Sequence, residues 1–214
     1  MLNGKKTKNL IFNLTDKYQF STRLSLNDEV VETLTSTKLL GTIISNDLTW
    51  NLNKQTIVRK ANARMELLRR VKSFGASTED LKSIYYLFVR SHLEHSATVW
   101  HSSLTEENSA DLERVQKSAV KIILGNQYDE YEKSLLKLDI EKLSERRKQL
   151  CLNFAKKCVK NPKTKHMFPK NVKKHEMKTR NTAEFKVQHA HTDRFKKSSI
   201  IYMQHLLNED NHNN

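Results

Sequence analysis

The sequence predicts an α+β fold that is predominantly α-helical, with short strands near the N-terminus. Only four Gly and two Pro occur among 214 residues, which disfavours a turn-rich β sandwich and a glycine-rich phosphate-binding enzyme. Apolar residues recur at helical spacing from residue 51 onward, whereas before residue 50 several of them alternate with polar ones. These patterns divide the chain into four parts: residues 1–50, a three-helix bundle at 51–125, a helical extension at 126–161 and a basic segment at 162–214 that ends in a short helix.

The first 50 residues are predicted to form a small antiparallel sheet. Residues 10–14 are an apolar run, and residues 20–26 alternate between apolar and polar. Asn27 and Asp28 are a turn signal between strands. The pattern continues over residues 37–45, where Gly41 marks a bend or a close backbone approach.

The densest apolar region, residues 77–125, contains two consecutive helical patterns. The first begins with a capping box, in which Asp80 follows Ser77 by three residues. Its apolar residues lie on several faces, so we expect a central helix that is buried nearly all round. The second begins at the N-cap Thr105 and ends at Gly125, which can adopt a positive φ. The predicted buried stripe of the second helix is Leu112, Val115, Ala119, Ile122 and Ile123.

A third helical pattern covers residues 51–74 and ends at Phe74 and Gly75. Its predicted buried stripe is Ile57, Ala61, Met65, Leu68 and Val71. The rest of its surface is expected to form one basic face, with seven cations against the single carboxylate Glu66. A solvated surface helix usually alternates its charges, so the imbalance favours contact with the phosphates of a nucleic acid. The cations are Lys54, Arg59, Lys60, Arg64, Arg69, Arg70 and Lys72.

Two more helical patterns follow, at residues 128–138 and 140–161. The apolar stripe of the second is predicted to be Leu143, Leu150, Cys151, Phe154 and Cys158. Its exposed side is predicted to be Glu145, Arg146, Arg147 and Lys148. The two cysteines are the only ones in the chain, and we expect buried, reduced thiols because a disulfide along one helix is geometrically unfavourable.

Residues 156–197 are strongly basic, with 14 Lys and Arg against 3 acidic residues. Such a segment is expected to stay loop-like until an anion neutralises it. Phe168, Phe185 and Phe195 are interspersed among the charges, where they could stack on unpaired bases or anchor the segment to the core. A last helical pattern, residues 198–208, is expected to dock on the body of the protein.

The charge balance of the whole chain favours a nucleic-acid partner. The formal net charge is +14 and the pI is about 9.7, and a polyanion is the natural ligand of such a protein. The alternative is that an acidic complement lies on sequence outside this chain. No apolar run approaches the roughly 20 residues that span a bilayer, so we expect an intracellular protein without a membrane partner. The histidines are not accompanied by a Cys-x2-Cys pair, and no metal site is predicted.

Several segments resemble the reverse transcriptases of jockey-like non-LTR retrotransposons, in the region that follows the polymerase core. They are residues 90–95 (Arg-Ser-His-Leu-Glu-His), 99–105 (Val-Trp-His-Ser-Ser-Leu-Thr), 112–119 (Leu-Glu-Arg-Val-Gln-Lys-Ser-Ala) and 143–151 (Leu-Ser-Glu-Arg-Arg-Lys-Gln-Leu-Cys). Residues 2–8, which include Lys6, resemble the Asn-x-x-Lys-Thr stretch that closes the palm. Lys38, Gly41 and Trp50 resemble the primer-grip hairpin. The resemblance covers about residues 2–208.

The resemblance implies a fragment without catalytic aspartates. Polymerisation requires carboxylates that converge on two metal ions, and in the family the Tyr-x-Asp-Asp motif precedes the stretch resembled by residues 2–8, so it would fall before Met1. The adjacent acidic pairs of this chain lie in predicted turns, helix starts and the tail. We therefore expect no enzymatic activity and no cofactor in this chain, since Mg²⁺ would belong to the missing part of the palm.

The implied role is to grip the RNA template and the RNA–DNA hybrid with a thumb-like bundle. Contacts are expected at Lys6, Lys38 and Gly41 as well as at the cations of the basic helix. A nuclear location follows from the family alone, and a cytoplasmic one is the alternative. Two other hypotheses remain open: a translated relic that self-associates through a free sheet edge at residues 8–26, and a binding module retained by a host.

Overall fold

The computed structural model describes residues 7–12, 23–26, 29–171 and 183–212, and it has the predicted fold class. Short strands near the N-terminus precede a succession of helices. The chain forms two compact units, residues 1–60 and 61–214. Helix α1 (Asn51–Ser73) begins in the first unit and ends in the second. The division into four parts predicted above stays a prediction.

The strands of the first unit form three separate pairs in the described part of the chain. β1 (Lys8–Leu10) pairs in parallel with β4 (Glu32–Leu34). β2 (Ser25–Leu26) and β3 (Glu29–Val30) are antiparallel, as are β5 (Ser36–Leu39) and β6 (Thr42–Ser45). The predicted hairpin is present as β5–β6 and β2–β3 is antiparallel as well, whereas the parallel pairing of β1 with β4 departs from the predicted antiparallel arrangement. Parallel strands need a long connection between them, and the segment from β1 to β4 is long enough to provide one. The alternation of apolar and polar residues within each strand does not indicate which strands will pair.

The first unit contains part of the predicted free sheet edge, whereas the predicted turn lies outside the described residues. Lys8, Asn9 and Leu10 pair with β4 in a two-stranded sheet, so β1 has no second neighbouring strand among the described residues and the predicted free edge at residues 8–26 stays a prediction. Asn27 and Asp28, with the apolar residues 14 and 20, lie outside the described residues.

The β5–β6 hairpin turns through two residues with positive φ. Leu40 has φ +48° and Gly41 has φ +91°, values typical of the tight turns that suit the twist of paired strands. The prediction of a bend at Gly41 is confirmed. The hairpin is fastened to the start of α1 by the Ile43 N–H, which donates to Asn53 Oδ1 over 3.1 Å.

Helix α1 has the predicted stripe. Ile57, Ala61, Met65 and Leu68 are buried, and Val71 is half-buried. The helix ends at Ser73, and Gly75 beyond it has φ +82°, as expected for the residue that breaks a helix.

The next helix has a wide turn in its middle. α2 (Thr78–Ile84) begins with the predicted capping box, continues through a π-helical segment (Tyr85–Arg90) and ends as α3 (Ser91–Glu94). Its buried residues are Leu81, Tyr85, Val89 and Leu93. On a regular α-helix, residues four apart point in directions that differ by about 40°, so a run of such residues winds around the helix. The π-helical segment has more residues per turn, which offsets this rotation and keeps the four buried residues on one side.

The expectation of burial nearly all round this helix is wrong. Leu87 is 67% exposed and Phe88 is 43% exposed, because the π turn concentrates burial on a single face.

Helix α4 (Ala97–Trp100) and helix α5 (Glu106–Leu124) follow. The Thr105 side chain accepts from the Asn108 N–H, so the predicted N-cap is confirmed. Four of the five predicted stripe residues of α5 are buried and Ile122 is half-buried. Gly125 ends the helix with φ +56°, and a Cβ there would lie 2.6 Å from Lys72 Nζ.

The remaining helices are α6 (Tyr131–Leu138), α7 (Leu143–Lys160), α8 (Asp193–Lys196) and α9 (Ser199–His212). As predicted, the last helix docks on the body, where it packs on α7. The shared cluster contains Cys151, Ala155, Cys158, Phe168, Phe185, Met203, Leu206 and Leu207. Both cysteines are free and buried, as predicted.

Two predictions for α7 are wrong. Arg147 is fully buried and Phe154 is 44% exposed. The buried residues of α7 are Leu143, Arg147, Cys151, Ala155 and Cys158. Arg147 occupies a position of this stripe, which polarity alone assigns to the solvent side.

The described part of the basic segment packs against the core at two aromatic residues. Phe168 and Phe185 are buried in the cluster, so the anchoring alternative is confirmed for these two residues. Phe185 exchanges hydrogen bonds of 2.9 and 3.0 Å with the Asn208 side chain. Phe195 is 39% exposed, and its role stays open. None of the helices in the described part of the chain combines the length and apolarity needed to cross a membrane.

Candidate nucleic-acid interface and buried polar networks

The predicted nucleic-acid contacts near the N-terminus are only partly described. Lys6 lies outside the described residues. Lys38 is exposed on β5, and Gly41 is half-buried in the turn that follows β5. Leu39 and Leu40 are exposed beside them, so the end of this hairpin is accessible.

The cations of α1 do not share one face, contrary to the prediction. Successive residues are rotated by about 100°, and the buried stripe of α1 defines one side of the helix. The helical spacing places Lys54, Arg64 and Lys72 on the side of the stripe, although Arg64 is exposed. Arg59 and Arg70 lie opposite the stripe, and Lys60 and Arg69 lie on the two flanks.

Four of these cations have partners within the chain, and Lys54 is one of them. The Glu66 carboxylate accepts from Arg69 Nη1 at 3.5 Å and from Arg70 Nε at 3.2 Å. Lys72 Nζ donates to the Ile122 carbonyl and, over 3.3 Å, to the Ile123 carbonyl. Lys72 therefore binds the negative end of the α5 dipole. This structural role removes Lys72 from the candidate interface.

Arg59, Lys60 and Arg64 form the remaining candidate interface. None of them has an ionic or hydrogen-bonding partner among the described residues. Arg59 and Arg64 are exposed, and Lys60 is half-buried. Lys60 and Arg64 are four residues apart on the helix, a like-charge pair that costs a few tenths of a kcal/mol in an isolated helix. An anion bound between them would relieve that repulsion.

A buried polar network, which the sequence did not reveal, joins α5 to the start of α7. The Glu113 carboxylate accepts from the Tyr131 hydroxyl at 2.6 Å. It also accepts from the N–H groups of Leu143 at 3.1 Å and Ser144 at 3.3 Å. A carboxylate at the positive end of a helix stabilises it, so Glu113 caps α7 from a different helix.

Gln116 extends this network through the core. It is fully buried, accepts from the Tyr85 hydroxyl, and donates to the Tyr131 hydroxyl at 3.0 Å and to the Glu141 carbonyl at 2.9 Å. Burial raises the pKa of both Tyr85 and Tyr131, and the hydrogen bond to Glu113 adds to the shift of Tyr131. Both phenols therefore stay neutral and serve as hydrogen-bonding groups.

A second network surrounds the Arg147 guanidinium. Its Nε donates to His101 Nδ1 at 3.3 Å, and its Nη2 donates to Ser109 Oγ at 3.0 Å. The guanidinium carbon lies 5.9 Å from the centre of the Trp100 ring. Burial, together with the charge of Arg147, lowers the pKa of His101 to about 4. His101 is therefore neutral at pH 7 and can accept at Nδ1, while Tyr202 Oη lies 3.5 Å from its Nε2.

The segments that carry the family resemblance meet in these networks. Glu94 accepts from Arg90 at 3.2 Å and from Arg146 at 3.3 Å. The other segments supply the partners already described around Glu113 and Arg147. The feature of the sequence that could have indicated these networks is a polar residue at a position where helical spacing places an apolar one, as at Arg147. The geometry favours a structural role, because these side chains hold helix to helix.

The described residues contain no group of three His, Cys, Asp or Glu side chains that could hold a metal ion.

No protein-family model, no curated protein and no solved structure matches this chain.

Proposed function

We propose that this chain is part of a jockey-like non-LTR retrotransposon reverse transcriptase, and that it grips the template and primer rather than performing chemistry. The ordered series of resembling segments supports the family. The three cations of α1 without protein partners, Arg59, Lys60 and Arg64, are the observation that carries the function. The β5–β6 hairpin, with its accessible end, precedes α1 in the order expected of a primer grip followed by a thumb.

The chemistry of these side chains suits a phosphate backbone. An exposed guanidinium can donate two parallel hydrogen bonds to one phosphate, and a lysine adds a point charge. Such contacts carry no base information. The expected ligands are therefore RNA and RNA–DNA hybrids of any sequence, with an affinity that falls steeply as salt displaces the bound strand.

Replacing Arg59 and Arg64 with glutamine tests this proposal. In a salt series with a labelled RNA–DNA hybrid, the double variant should bind more weakly. The plot of log affinity against log salt should be less steep by about 2, because each lost phosphate contact reduces the magnitude of the slope by about 0.9. The purified chain should incorporate no nucleotides on the same hybrid.

The matched control replaces Lys133 and Lys196, which make only exposed ion pairs on α6 and α8. The Lys133→Gln/Lys196→Gln variant has the same net charge as the test variant and should keep the wild-type slope. Equal slopes in the test variant and the wild type would contradict the proposal. No saturable binding at low salt would favour the translated relic, and template-directed incorporation would refute the assignment of a purely gripping role.

A further inference from the structure

We propose that the outer face of α7, defined as Phe154, Lys157 and Lys160, is a second binding surface that takes single-stranded nucleic acid. The inference rests on the proposed function in taking nucleic acid as the ligand. It uses residues that are separate from the α1 interface and a different form of the ligand.

The charges of α7 are sorted between its two flanks. On the flank that faces α9, Lys148 pairs with Glu209 at 3.4 Å and Lys156 pairs with Asp210 at 2.7 Å. On the outer face, Lys157 and Lys160 are exposed and have no ionic partner in the described part of the chain. Helix α9 thus neutralises one flank and leaves the other positive.

The sequence extends this positive region past the end of the helix. No acidic residue occurs between Glu145 and Glu176. Lys163 and Lys165 lie in the turn after α7, and both are exposed without an ionic partner in the described ranges. Four lysines within nine residues are therefore available to one polyanion.

The outer face also exposes an aromatic ring. Phe154 is 44% exposed, whereas the core side of α7 is formed by Cys151, Ala155 and Cys158. Phe154 and Lys157 are three residues apart, so they are neighbours on the helix surface. Gln149 and Asn153, which share a hydrogen bond of 3.0 Å, are also exposed, and helical spacing places them beside Lys160.

The exposed ring selects the form of the ligand. An accessible aromatic ring beside lysines is the combination that single-strand-binding surfaces use, and stacking contributes about 1 to 3 kcal/mol per base. In a duplex both faces of each base are already stacked, so the ring has nothing to bind. We therefore assign this face to an unpaired strand.

The test compares two ligands and two surfaces in the full chain. Phe154→Ala should weaken binding of a short labelled oligouridylate by about fivefold or more, and should leave binding of inorganic polyphosphate, which has no bases, unchanged. Lys157→Gln/Lys160→Gln should weaken both ligands and reduce the salt slope for oligouridylate by about 1.4, at about 0.7 per contact on a single strand. Phe154→Ala should bind the RNA–DNA hybrid as the wild type does, because the hybrid offers the ring no unstacked base.

The outcomes separate this inference from the proposed function. If hybrid binding depends on Arg59 and Arg64 while oligouridylate binding is indifferent to both α7 variants, the inference fails and the proposed function stands. If the wild type binds neither ligand, both fail. Lysines in the last turn also favour the helix dipole. A loss of thermal stability in the α7 variants without a loss of affinity would show that their role is structural, and would overturn the inference.

Discussion

At the scale of single residues, the most unusual feature is a cation enclosed in the helical unit. Arg147 is fully buried, and its hydrogen-bonding partners, His101 and Ser109, are neutral. Burial of a charge is costly unless polar groups surround it, and burial lowers the pKa of this guanidinium. His101 must stay neutral beside it, because a second positive charge would have to be desolvated at the same place.

This arrangement predicts that the protein is destabilised in mild acid. The pKa of His101 is lowered from 6.5 to about 4, so between those values the unfolded chain binds more protons than the folded one. The free energy of unfolding should therefore decrease as the pH falls through this range, by about 2 kcal/mol between pH 7 and pH 5 from His101 alone. Chemical denaturation at a series of pH values measures the effect.

The control for this prediction is a variant that keeps a hydrogen-bond acceptor near the position of His101 Nδ1 but has no group that takes up a proton in this pH range. His101→Asn should flatten the pH dependence by that amount, whatever its stability at pH 7. Identical pH profiles for His101→Asn and the wild type would show that His101 does not resist protonation.

At the scale of secondary-structure elements, helix ends are satisfied by side chains from other helices. Lys72 of α1 binds the carbonyls at the C-terminus of α5, and Glu113 of α5 binds the N–H groups at the N-terminus of α7. Each charge has the sign that the helix dipole favours. Gly125 belongs to the first of these contacts, because a side chain there would displace the Lys72 ammonium group.

The Lys72 contact predicts a stability effect without a binding effect. Lys72→Met keeps much of the aliphatic stem and removes the charge, so it should lower the free energy of unfolding by about 1 to 2 kcal/mol. The salt slope for hybrid binding should not change. Thermal or denaturant unfolding, with the binding series described above, measures both quantities.

Arg69→Met on the same helix is the comparison for Lys72→Met. Arg69 makes only an exposed pair with Glu66, and such pairs contribute little, so its loss should change stability by less than about 0.5 kcal/mol. A Lys72 variant as stable as the Arg69 variant would contradict the capping role.

At the scale of the whole molecule, the end of the chain completes a core that the preceding helices leave open. Met203, Leu206 and Leu207 of α9 cover the side of α7 that contains Cys151 and Cys158. Burial raises the pKa of the Cys151 thiol to about 11. Shielding should make both cysteines slow to react, and a low thiolate fraction should slow Cys151 further.

A chain that ends at Ser198 should expose these thiols. Loss of α9 removes their cover, so the pKa of Cys151 should fall towards its ordinary value and the rate of reaction with a chromogenic disulfide should rise at least tenfold, by an order-of-magnitude expectation. Circular dichroism of the truncated chain checks that the other helices remain. Equal reaction rates in a helical truncated chain and the full chain would show that α9 does not protect the core.

Features that depend on neighbouring residues could be predicted from the sequence. The capping box at Ser77, the N-cap at Thr105 and the glycines beyond α1 and α5 were all predicted, because capping and positive φ act within one turn of chain. The stripes of α1 and α5 were also predicted, since apolar periodicity is local. The excess of cations on α1 was visible in the composition of one helix.

Features that depend on distant partners required the three-dimensional structure. It paired β1 with β4 in parallel, gave Lys72 to the end of α5 and enclosed Arg147 among His101, Ser109 and Trp100. It also divided the cations of α1 into those with protein partners and those without. The physical reason is that a charged side chain is stable in the core only where another part of the chain satisfies it, and a one-dimensional pattern does not reveal which segments will meet.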